Sequence, residues 1–288
     1  MSTHTFSNRM IAILINPLAG KGKAKKVLSL IENNLTERQI HFKTFSSARP
    51  EELEIFSEVW LIGGDGTLNH FINKYSDIQV PIALFKGGSG NDFAWKLYGN
   101  KTVEDYLKDA LDGISKRVDA GICNGRYFIN GVGIGFDGEV VKAMGAKRFL
   151  SAGFLAYLAV VLRKILSYSE KEITITWNSH VLKEQIFMVS VANGSRYGGG
   201  FLVAPQASLE DGNLDLIYIK KIPVIQRFFF IRKVSKGEHL SLPIVAYSRI
   251  KKIIVSAPEI LPAHLDGELM EAKDFTIEII PKKFLFYC

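Results

Sequence analysis

The chain has little cysteine and lacks the patterns that mark common metal and hydrolase sites. Its 288 residues include only Cys123 and Cys288, so no disulfide framework is available, and a reducing, cytoplasmic compartment is predicted. The six histidines are scattered and form no zinc-binding spacing with cysteine, and no Gly-x-Ser-x-Gly elbow occurs. These absences disfavour a zinc hydrolase and a serine hydrolase of the elbow type.

Long apolar runs are also missing. The longest uncharged one, Phe149 to Leu162, spans about 14 residues, whereas a membrane-spanning helix needs roughly 20. Two interpretations stay open for this run: a buried helix, or a helix that lies in a membrane interface. The first ten residues are polar and predict no secretory signal. We therefore expect any membrane contact to be peripheral.

The composition is that of a folded protein with more than one core. Hydrophobic residues make up 47% and charged residues 23% of the chain, and 288 residues exceed what one core normally fills. Short strands alternate with helical patterns before Val118 to Gly121, and β segments predominate after it, with one main helical candidate at Phe149 to Leu166. This predicts a doubly wound α/β domain at residues 1–119 and a β-rich domain at 120–288, whose last residues are able to return to the first domain.

Positive charge is concentrated in one part of the second predicted domain. Residues 216–252 contain nine basic residues and one acidic residue, Glu238, whereas the whole chain has a net charge of +7. Basic residues beside Phe228, Phe229 and Phe230 suit an anionic membrane surface, but the same charges also suit solvated strand ends. No helix-turn-helix, zinc finger or aromatic RNA-binding motif accompanies the charge, which disfavours a nucleic-acid partner.

A glycine-rich turn follows an apolar strand near residue 61. The sequence reads LIGGDGTLNH from Leu61 to His70. Glycine in such a turn lets backbone N–H groups approach an anion, and the following helix adds positive partial charge. We expect Thr67 to be the N-cap of that helix. The pattern predicts a cradle for nucleotide phosphates at residues 63–67, with a tight turn that binds no ligand as the alternative.

Two further loops have the same order of strand, glycine and helix. Ile11 to Ile15 leads into NPLAGKGK, which begins at Asn16, and the strand ending at Phe85 leads into KGGSGND, which ends at Asp92. Loops that follow successive parallel strands emerge at one edge of a sheet, so we expect all three loops to converge. None of them fits the P-loop pattern or the spaced glycines of a dinucleotide-binding fingerprint.

Seven motifs occur in an order that resembles a known family. One glycine loop would be weak evidence, whereas seven motifs in register are strong. The motifs are NPLAGKGKA from Asn16, GGDGT from Gly63, GSGNDFA from Gly88, GFDGEV from Gly135, NGSRYGGG from Asn193, DGNLD from Asp211 and LDGE from Leu265. The set covers nearly the whole chain and is similar to that of the diacylglycerol and sphingosine kinase catalytic family, in its bacterial lipid kinase branch.

The resemblance implies an ATP-dependent kinase of lipid metabolism that phosphorylates a lipid hydroxyl group and uses Mg²⁺. It implies a Rossmann-like α/β nucleotide-binding domain of the NAD kinase and phosphofructokinase type, a β-sandwich-like second domain, and an active site in the cleft between them. A lipid substrate and peripheral association with the inner face of the membrane are expected. The acceptor, whether diacylglycerol, a sphingoid base or another lipid alcohol, and the oligomeric state stay open.

The matching motifs also imply which residues contact the nucleotide. Asp65 would repel a phosphate, so its expected task is to hold Mg²⁺ through water or to orient the loop. Asn16 also suits a side-chain turn before Pro17, and Asp92 suits a helix N-terminus. The full set of implied nucleotide contacts is Asn16, Thr44, Gly63, Gly64, Asp65, Gly66, Thr67, Ser89 and Asn91.

Acidic residues in the last motifs complete the predicted site. A carboxylate must take the proton of the acceptor hydroxyl, and Asp266 and Glu268 of LDGE are the candidates, on the same side of the chain if the segment is extended. With Asp65 they form the predicted catalytic set. Residues 208–215 resemble the Mg²⁺ loop of the family, with a plain Asp-Gly turn as the alternative there and at Asp266. The implied metal ligands are Ser208, Asp211 and Asn213.

Two other functions stay open. GGDGT also occurs in NAD kinases and phosphofructokinases, so a soluble-metabolite kinase is one alternative, and a noncatalytic lipid or nucleotide sensor is the other. The motifs LDGE, GFDGEV and NGSRYGGG favour a lipid kinase over a soluble-metabolite kinase. The acidic residues Asp65, Asp266 and Glu268 disfavour a noncatalytic sensor.

Overall fold

The chain divides into two units near residue 118. A computed structural model describes residues 9–46, 50–145 and 154–288. The first unit comprises the chain up to Val118 together with Lys282–Cys288, and the second comprises Asp119–Pro281. The prediction of two domains is thus confirmed, and the final residues belong to the first unit.

The first unit is built on a parallel sheet. Its strands are β1 (Met10–Ile15), β2 (His41–Phe45), β3 (Glu58–Gly63) and β4 (Ile82–Lys86), and its helices are α1 (Lys23–Glu37), α2 (Asp65–Lys74), α3 (Asp92–Tyr98) and α4 (Val103–Asp112). β1 pairs with β2 on one side and with β3 on the other, and β3 pairs with β4, all in parallel. The winding of the chain therefore reverses between β1 and β3, the position at which ligands bind to sheets of this kind.

Local sequence signals explain the core and the helix ends of this unit. Every residue of β3 is buried, as expected for a parallel strand covered on both faces, and the rings of Trp60 and Phe85 lie 5.4 Å apart. Thr102 caps α4 through a reciprocal capping box with Asp105, and Gly113 ends the helix with a φ of +75°. Because β1, β3 and β4 pair in parallel, the loops that follow them lie at one edge of the sheet.

The second unit is mainly antiparallel. Helices cover part of its sheet, and two of its strands, Ser115–Cys123 and Glu268–Tyr287, extend into the first unit. Its strands are β5 (Ser115–Cys123), β6 (Arg126–Phe128), β7 (Gly131–Gly135), β8 (Lys171–Trp177), β9 (His180–Ala192), β10 (Leu214–Lys220), β11 (Val245–Ile250), β12 (Lys252–Leu265) and β13 (Glu268–Tyr287), and its helices are α5 (Phe136–Met144), α6 (Phe154–Ser167) and α7 (Val224–Ser235).

Two long strands make this sheet curve around a core. β9 and β12 each pair with β8 along one part of their length and with β7 along the other. An irregularity between Ser256 and Leu261 accompanies the change of partner in β12. One core lies among these strands, with Val189, Val255 and Leu265 fully buried. A second core lies under the helices.

Helices are more frequent in the second unit than the sequence pattern predicts. The pattern indicates one main helix, whereas the described residues form α5, α6 and α7. The inward face of α7 carries Phe230 and Val234, but apolar residues also occupy its outward face, so the helical periodicity is blurred.

The longest apolar run of the sequence is only partly described. Residues 149–153 lie outside the described residues, and α6 begins at Phe154. Within α6, Val161 and Ile165 are buried, whereas Leu162 and Leu166 are 42% and 63% exposed. Among the helices that the structure describes, none combines the length and the apolar character needed to cross a membrane.

Candidate functional site

Three glycine loops of the first unit approach one another backbone to backbone. A Cβ atom on Gly64 would lie 2.9 Å from the Cα of Gly88, and a Cβ on Gly88 would lie 2.5 Å from the Cα of Gly64. A side chain on Gly20 would overlap the carbonyl oxygen of Gly87. The Gly87 N–H donates to the Gly63 carbonyl at 2.8 Å. Because no side chain fits at these contacts, glycine is required, and the predicted convergence of the loops is confirmed.

Helix α2 begins inside the second of these loops. Gly64 is its N-cap and Asp65 its first residue, so the expectation that Thr67 is the N-cap is wrong. Thr67 instead folds back against Gly63, where an added Cβ would lie 2.5 Å from the threonine hydroxyl oxygen. Residues 64–66 are only half-buried, so backbone N–H groups at this helix start are within reach of an anion.

Asn16 connects the first loop to the second. Its Nδ2 donates to the hydroxyl oxygen of Thr67 at 3.3 Å. Its Oδ1 accepts from the Leu18 N–H at 3.1 Å, so the side-chain turn around Pro17 is also present. Positive charge follows in the same loop and at the start of α1, which favours an anionic ligand. The exposed lysines there are Lys21, Lys23, Lys25 and Lys26.

Asp65 fastens the third loop to the second. Its carboxylate accepts hydrogen bonds from the backbone N–H groups of Asp92 at 2.9 Å and Phe93 at 3.0 Å. These residues begin α3, whose amino end attracts negative charge. Of the two tasks expected for Asp65, orientation of the loop is observed, and the holding of Mg²⁺ stays a prediction. Asp92 lies in the first turn of α3, as its helix-terminus alternative requires.

The other predicted nucleotide contacts differ in their surroundings. Asn91 has a φ of +55° and closes the third loop, since its side chain accepts from the Gly88 N–H at 3.0 Å and donates to the Gly88 carbonyl at 2.8 Å. Ser89 is exposed in the same loop. Thr44 donates its hydroxyl to the Glu32 carboxylate of α1 at 2.7 Å, so this hydroxyl already has a partner within the protein.

A carboxylate of the second unit, that of Asp266, is also held by backbone N–H groups. Asp266 and Gly267 form the two-residue turn between β12 and β13, with φ values of +50° and +91°. The segment is therefore not extended, and the expectation that Asp266 and Glu268 share a side on that ground is wrong. The Asp266 carboxylate accepts from the N–H groups of residues 129–131 at 2.8, 2.8 and 2.9 Å. The turn is an Asp-Gly turn, but Asp266 is only 8% exposed.

Three polar side chains for which the sequence predicts no role lie near this turn. The Tyr197 hydroxyl donates to the Asp137 carboxylate at 2.7 Å, and His264 Nε2 lies 3.9 Å from the same Asp137 oxygen. The Gly267 N–H donates to His264 Nδ1 at 3.4 Å. Asp137 and Tyr197 belong to the GFDGEV and NGSRYGGG motifs, so the motifs were the available signal. Only the fold brings the three side chains together.

An apolar cavity of about 40 Å³ adjoins this cluster in the second unit. Its walls come from β9 and from all three helices, and include Phe136, Val161 and Phe187 as well as residues of α7. Asp137 and Tyr197 form its polar part. The arrangement therefore offers an apolar wall beside hydrogen-bonding groups.

Two buried titratable groups of this core, Tyr168 and His239, have pKa values that burial shifts towards the neutral form. Burial raises the pKa of Tyr168, whose ring packs edge-on against Phe136 and Phe187. Burial lowers the pKa of His239, although its hydrogen bond to the Val203 carbonyl opposes the shift. A neutral tyrosine and a neutral histidine keep the second core free of charge at these two positions.

The predicted metal loop, residues 208–215, is closed by its own hydrogen bonds. Asp211 Oδ1 accepts from the Asn213 N–H at 3.0 Å, and the Asp211 carbonyl accepts from the Asn213 side chain at 2.8 Å. The buried Asp119 fixes the loop, because its Oδ2 accepts from the Gly212 N–H at 2.7 Å. In the part of the chain that the structure describes, no group of three or more His, Cys, Asp or Glu residues is placed to hold a metal ion. The ligand set of Ser208, Asp211 and Asn213 stays a prediction.

Comparison with known families matches both units. Residues 10–123 match the diacylglycerol kinase catalytic domain, and residues 130–287 match the YegS C-terminal NAD kinase beta sandwich-like domain. The chain belongs to the family of the YegS C-terminal NAD kinase beta sandwich-like domain, and a match to the diacylglycerol kinase catalytic domain precedes that domain. The family predicted from the motifs is thus confirmed, and the match of residues 130–287 supports a β-sandwich-like second domain.

Relatives and solved structures of this family cover most of the chain. A diacylglycerol kinase of Bacillus subtilis (strain 168) is 29% identical over 270 residues, which are 89% of this chain and 88% of that protein. A diacylglycerol kinase of Staphylococcus carnosus (strain TM300) is 25% identical over 267 residues, 89% of this chain and 87% of that protein. A crystal structure of a diacylglycerol kinase from Bacillus anthracis str. Sterne has a TM-score of 0.73 at 20% identity and covers 97% of this chain and 96% of that one, which shows a shared fold.

Proposed function

We propose that this protein is an ATP-dependent lipid kinase that transfers the γ-phosphoryl group of ATP to a hydroxyl of a diacylglycerol-like or sphingoid lipid. One observation carries the proposal: three glycine loops meet at the edge of a parallel sheet where the winding reverses. Such a place offers backbone N–H groups to phosphates. Membership of the kinase family makes ATP the expected nucleotide, and relatives named diacylglycerol kinase support a lipid acceptor.

On the nucleotide side, we propose that residues 63–67 bind the phosphates and that Ser89 and Asn91 of the third loop make further contacts with the nucleotide. Asn16 supports the cradle through its bond to Thr67. Thr44 has weaker support, because its hydroxyl would have to leave Glu32 to reach a nucleotide. We propose residues 1–119, together with the returning residues 282–288, as a Rossmann-like nucleotide-binding domain and residues 120–281 as the substrate domain.

On the acceptor side, the reaction needs a group that takes a proton. As the lipid oxygen bonds to the γ-phosphorus, the bond from that phosphorus to the β–γ bridging oxygen breaks, ADP leaves, and the hydroxyl proton passes to a carboxylate. Asp266 and Glu268 stay our candidates for that carboxylate. Asp266 also has a structural task through its bonds to residues 129–131, whereas Glu268 is half-buried at the start of β13.

The apolar cavity of the second unit supports a lipid rather than a water-soluble acceptor. Its wall is apolar, and Asp137 and Tyr197 supply groups that could hydrogen-bond an ester or hydroxyl. At about 40 Å³ it holds less than an acyl chain, so a tail would have to displace the side chains around it. We further propose that the enzyme works in the cytoplasm, at the inner face of the membrane.

We propose that Mg²⁺ accompanies ATP, because kinases use it to neutralise phosphate charge. The loop at residues 208–215 offers oxygen donors of the kind Mg²⁺ prefers, from Ser208, Asp211 and Asn213. The Asp211 carboxylate is one of three in this loop. One of its oxygens already accepts from the Asn213 N–H, and the other lies 3.9 Å from Arg249. A rise in melting temperature with added Mg²⁺ that disappears in Asp211→Asn would support this loop, and an equal rise in both proteins would contradict it.

The function is tested by incubating the full chain with ATP, Mg²⁺ and mixed micelles that carry one acceptor each. The panel contains a diacylglycerol, a sphingoid base and a polyprenol, with NAD and fructose 6-phosphate as soluble acceptors. We expect a phosphorylated lipid, detected by mass spectrometry, and no phosphorylated soluble compound. Product from NAD or from the sugar phosphate alone would favour the soluble-metabolite kinase, and nucleotide binding without any product would favour a sensor.

The proton acceptor is tested on the lipid that the panel identifies. If Glu268 takes the proton, Glu268→Gln should lower kcat by about 10² or more, the range expected for the loss of a general base, with ATP affinity unchanged. Glu259→Gln, an exposed change on the same pair of strands, is the matched control. Near wild-type turnover of Glu268→Gln would leave Asp266 as the candidate.

A further inference from the structure

Helix α7 exposes apolar side chains on the face that points away from the protein. Ile225 and Phe229, four residues apart, are each 71% exposed, and Phe228 beside them is 39% exposed. Residues four apart lie on one face of a helix, so the two most exposed side chains are neighbours. A helix on the surface of a globular protein normally carries polar residues on this face. The exposed face of α7 is therefore built for contact with something other than water.

The orientation of this helix is fixed from its buried side. Arg227 is 3% exposed and forms an ion pair with Glu170 at 2.8 Å. The same guanidinium donates to the carbonyls of Ile165 and Tyr168, at the end of α6. Turning α7 about its axis would break these bonds and bury an unpaired charge, which is strongly unfavourable. Ile225 and Phe229 are thus held outward.

The structure also shows which positive charges surround this face. Of the nine basic residues at 216–252, Arg227 is buried. Ion pairs join Lys220 to Glu184 and Lys252 to Glu278, and exposed ion pairs join Lys233 to Glu238 and Arg249 to Asp211. Arg232 and Lys233 follow Phe229 by three and four residues, so they continue the same helix face. The exposed cations at the two ends of α7 are Lys221, Arg232, Lys233 and Lys236.

We propose that the exposed face of α7 is the docking surface for an anionic lipid bilayer. Ile225 and Phe229 enter the boundary between headgroups and acyl chains, and the surrounding cations pair with anionic headgroups. A second copy of the chain is a poorer occupant, because a two-fold contact would bring the same cations together. The proposal rests on the proposed function, since a kinase with a lipid acceptor has to meet a membrane surface.

The test is co-sedimentation of the full chain with vesicles of phosphatidylcholine, alone or with an equal part of phosphatidylglycerol. The double variant Ile225→Ser/Phe229→Ser should lose about tenfold or more in partition coefficient. Arg232→Gln/Lys233→Gln should lose the preference for anionic vesicles. Val181→Ser, on β9 and also 71% exposed, is the matched control and should bind as the wild type does. Melting temperatures confirm that each variant is folded.

Two further measurements vary the salt concentration and use a water-soluble substrate, so that membrane binding is distinguished from catalysis. Binding of the wild type should weaken as salt shortens the Debye length from about 10 Å at 0.1 M to about 3 Å at 1 M. Phosphorylation of a short-chain, water-soluble diacylglycerol should be equal in the wild type and in the α7 variants. If the wild type phosphorylates no acceptor, the proposed function fails, while the vesicle result still decides the docking surface.

Three results would overturn the docking surface. The first is equal binding of the wild type to neutral and anionic vesicles. The second is unchanged binding of both double variants. The third is a wild-type dimer without lipid, seen by light scattering, that Phe229→Ser converts to a monomer, because the face would then be a contact between subunits.

Discussion

Asp65 in the first unit and Asp266 in the second both accept backbone N–H groups, but over very different lengths of chain. The Asp65 carboxylate accepts from the N–H groups of Asp92 and Phe93, which lie 27 and 28 positions later in the chain. These two residues follow the next strand of the same sheet. The Asp266 carboxylate accepts from the N–H groups of residues 129–131, which lie 135 to 137 positions earlier in the chain. Asp65 is half-buried, and Asp266 is only 8% exposed.

The difference separates two uses of an acidic residue in a glycine motif. The Asp65 bonds set the relative positions of two loops that we assign to the nucleotide, so their loss should affect ligand binding. The Asp266 bonds join strands distant in sequence, so their loss should affect folding first. An acidic residue in a conspicuous motif therefore does not by itself indicate catalysis.

Removal of the Asp266 carboxylate should have the largest effect. Asp266→Ala deprives three buried N–H groups of their acceptor, which should lower the free energy of unfolding by ~3 kcal/mol or more. Asp266→Asn keeps one carbonyl oxygen and should cost less. The measurement is unfolding in urea, with Glu268→Gln at the other end of the turn as the control, expected to change by less than about 0.5 kcal/mol. Similar small changes in all three variants would show that these bonds do not hold the fold.

Separation of the glycine loops should have the next largest effect, a loss of ATP affinity. Gly64→Val places a branched side chain against the Gly88 backbone, so the loops must move apart. ATP binding, measured by titration calorimetry, should weaken by about 10²-fold, or roughly 2.7 kcal/mol. Leu18→Val, in the first loop and 88% exposed, introduces a branched residue without a clash and should bind ATP normally. A folded Gly64→Val protein with unchanged affinity would place the phosphates elsewhere.

Weakening of the Asp65 bonds should have a moderate effect. Asp65→Asn keeps an acceptor for one of the two N–H groups at the start of α3 and presents an amide group to the other. We expect a loss of about 1–2 kcal/mol in stability together with weaker ATP binding. Asp77→Asn in the same unit, whose side chain is 95% exposed, is the control. If Asp65→Asn lowers stability but not affinity, the bond serves the fold and not the ligand.

Protonation of His239 at acidic pH should have the smallest effect on the free energy of unfolding. Burial lowers the pKa of His239 below its ordinary value of 6.5, so unfolding lets this histidine take up a proton. Its contribution to stability is complete above that ordinary value and is lost as the pH falls through it. The free energy of unfolding should therefore fall between about pH 7 and pH 5, and less steeply in His239→Gln, whose amide can still donate to Val203. Parallel curves for the two proteins would exclude a role of His239.

The sequence by itself determined the features that depend on neighbouring residues. The strand, glycine turn and helix after β1, β3 and β4 were readable, because glycine acts on its own backbone and apolar runs mark parallel strands. Their convergence also followed, since the ends of parallel strands meet at one sheet edge. The order of seven motifs predicted the family, which the comparisons confirm.

Only the tertiary structure decided which backbone each acidic side chain meets. The place of Thr67, the buried turn at Asp266 and the cluster of Asp137, Tyr197 and His264 depend on contacts between residues far apart in sequence, and local periodicity carries no information on such contacts. The outward face of α7 is a further case, because apolar residues surround the helix and its rotation is fixed by tertiary contacts, above all by the bonds of the buried Arg227. Pairing and burial across the fold, rather than local preference, set these positions.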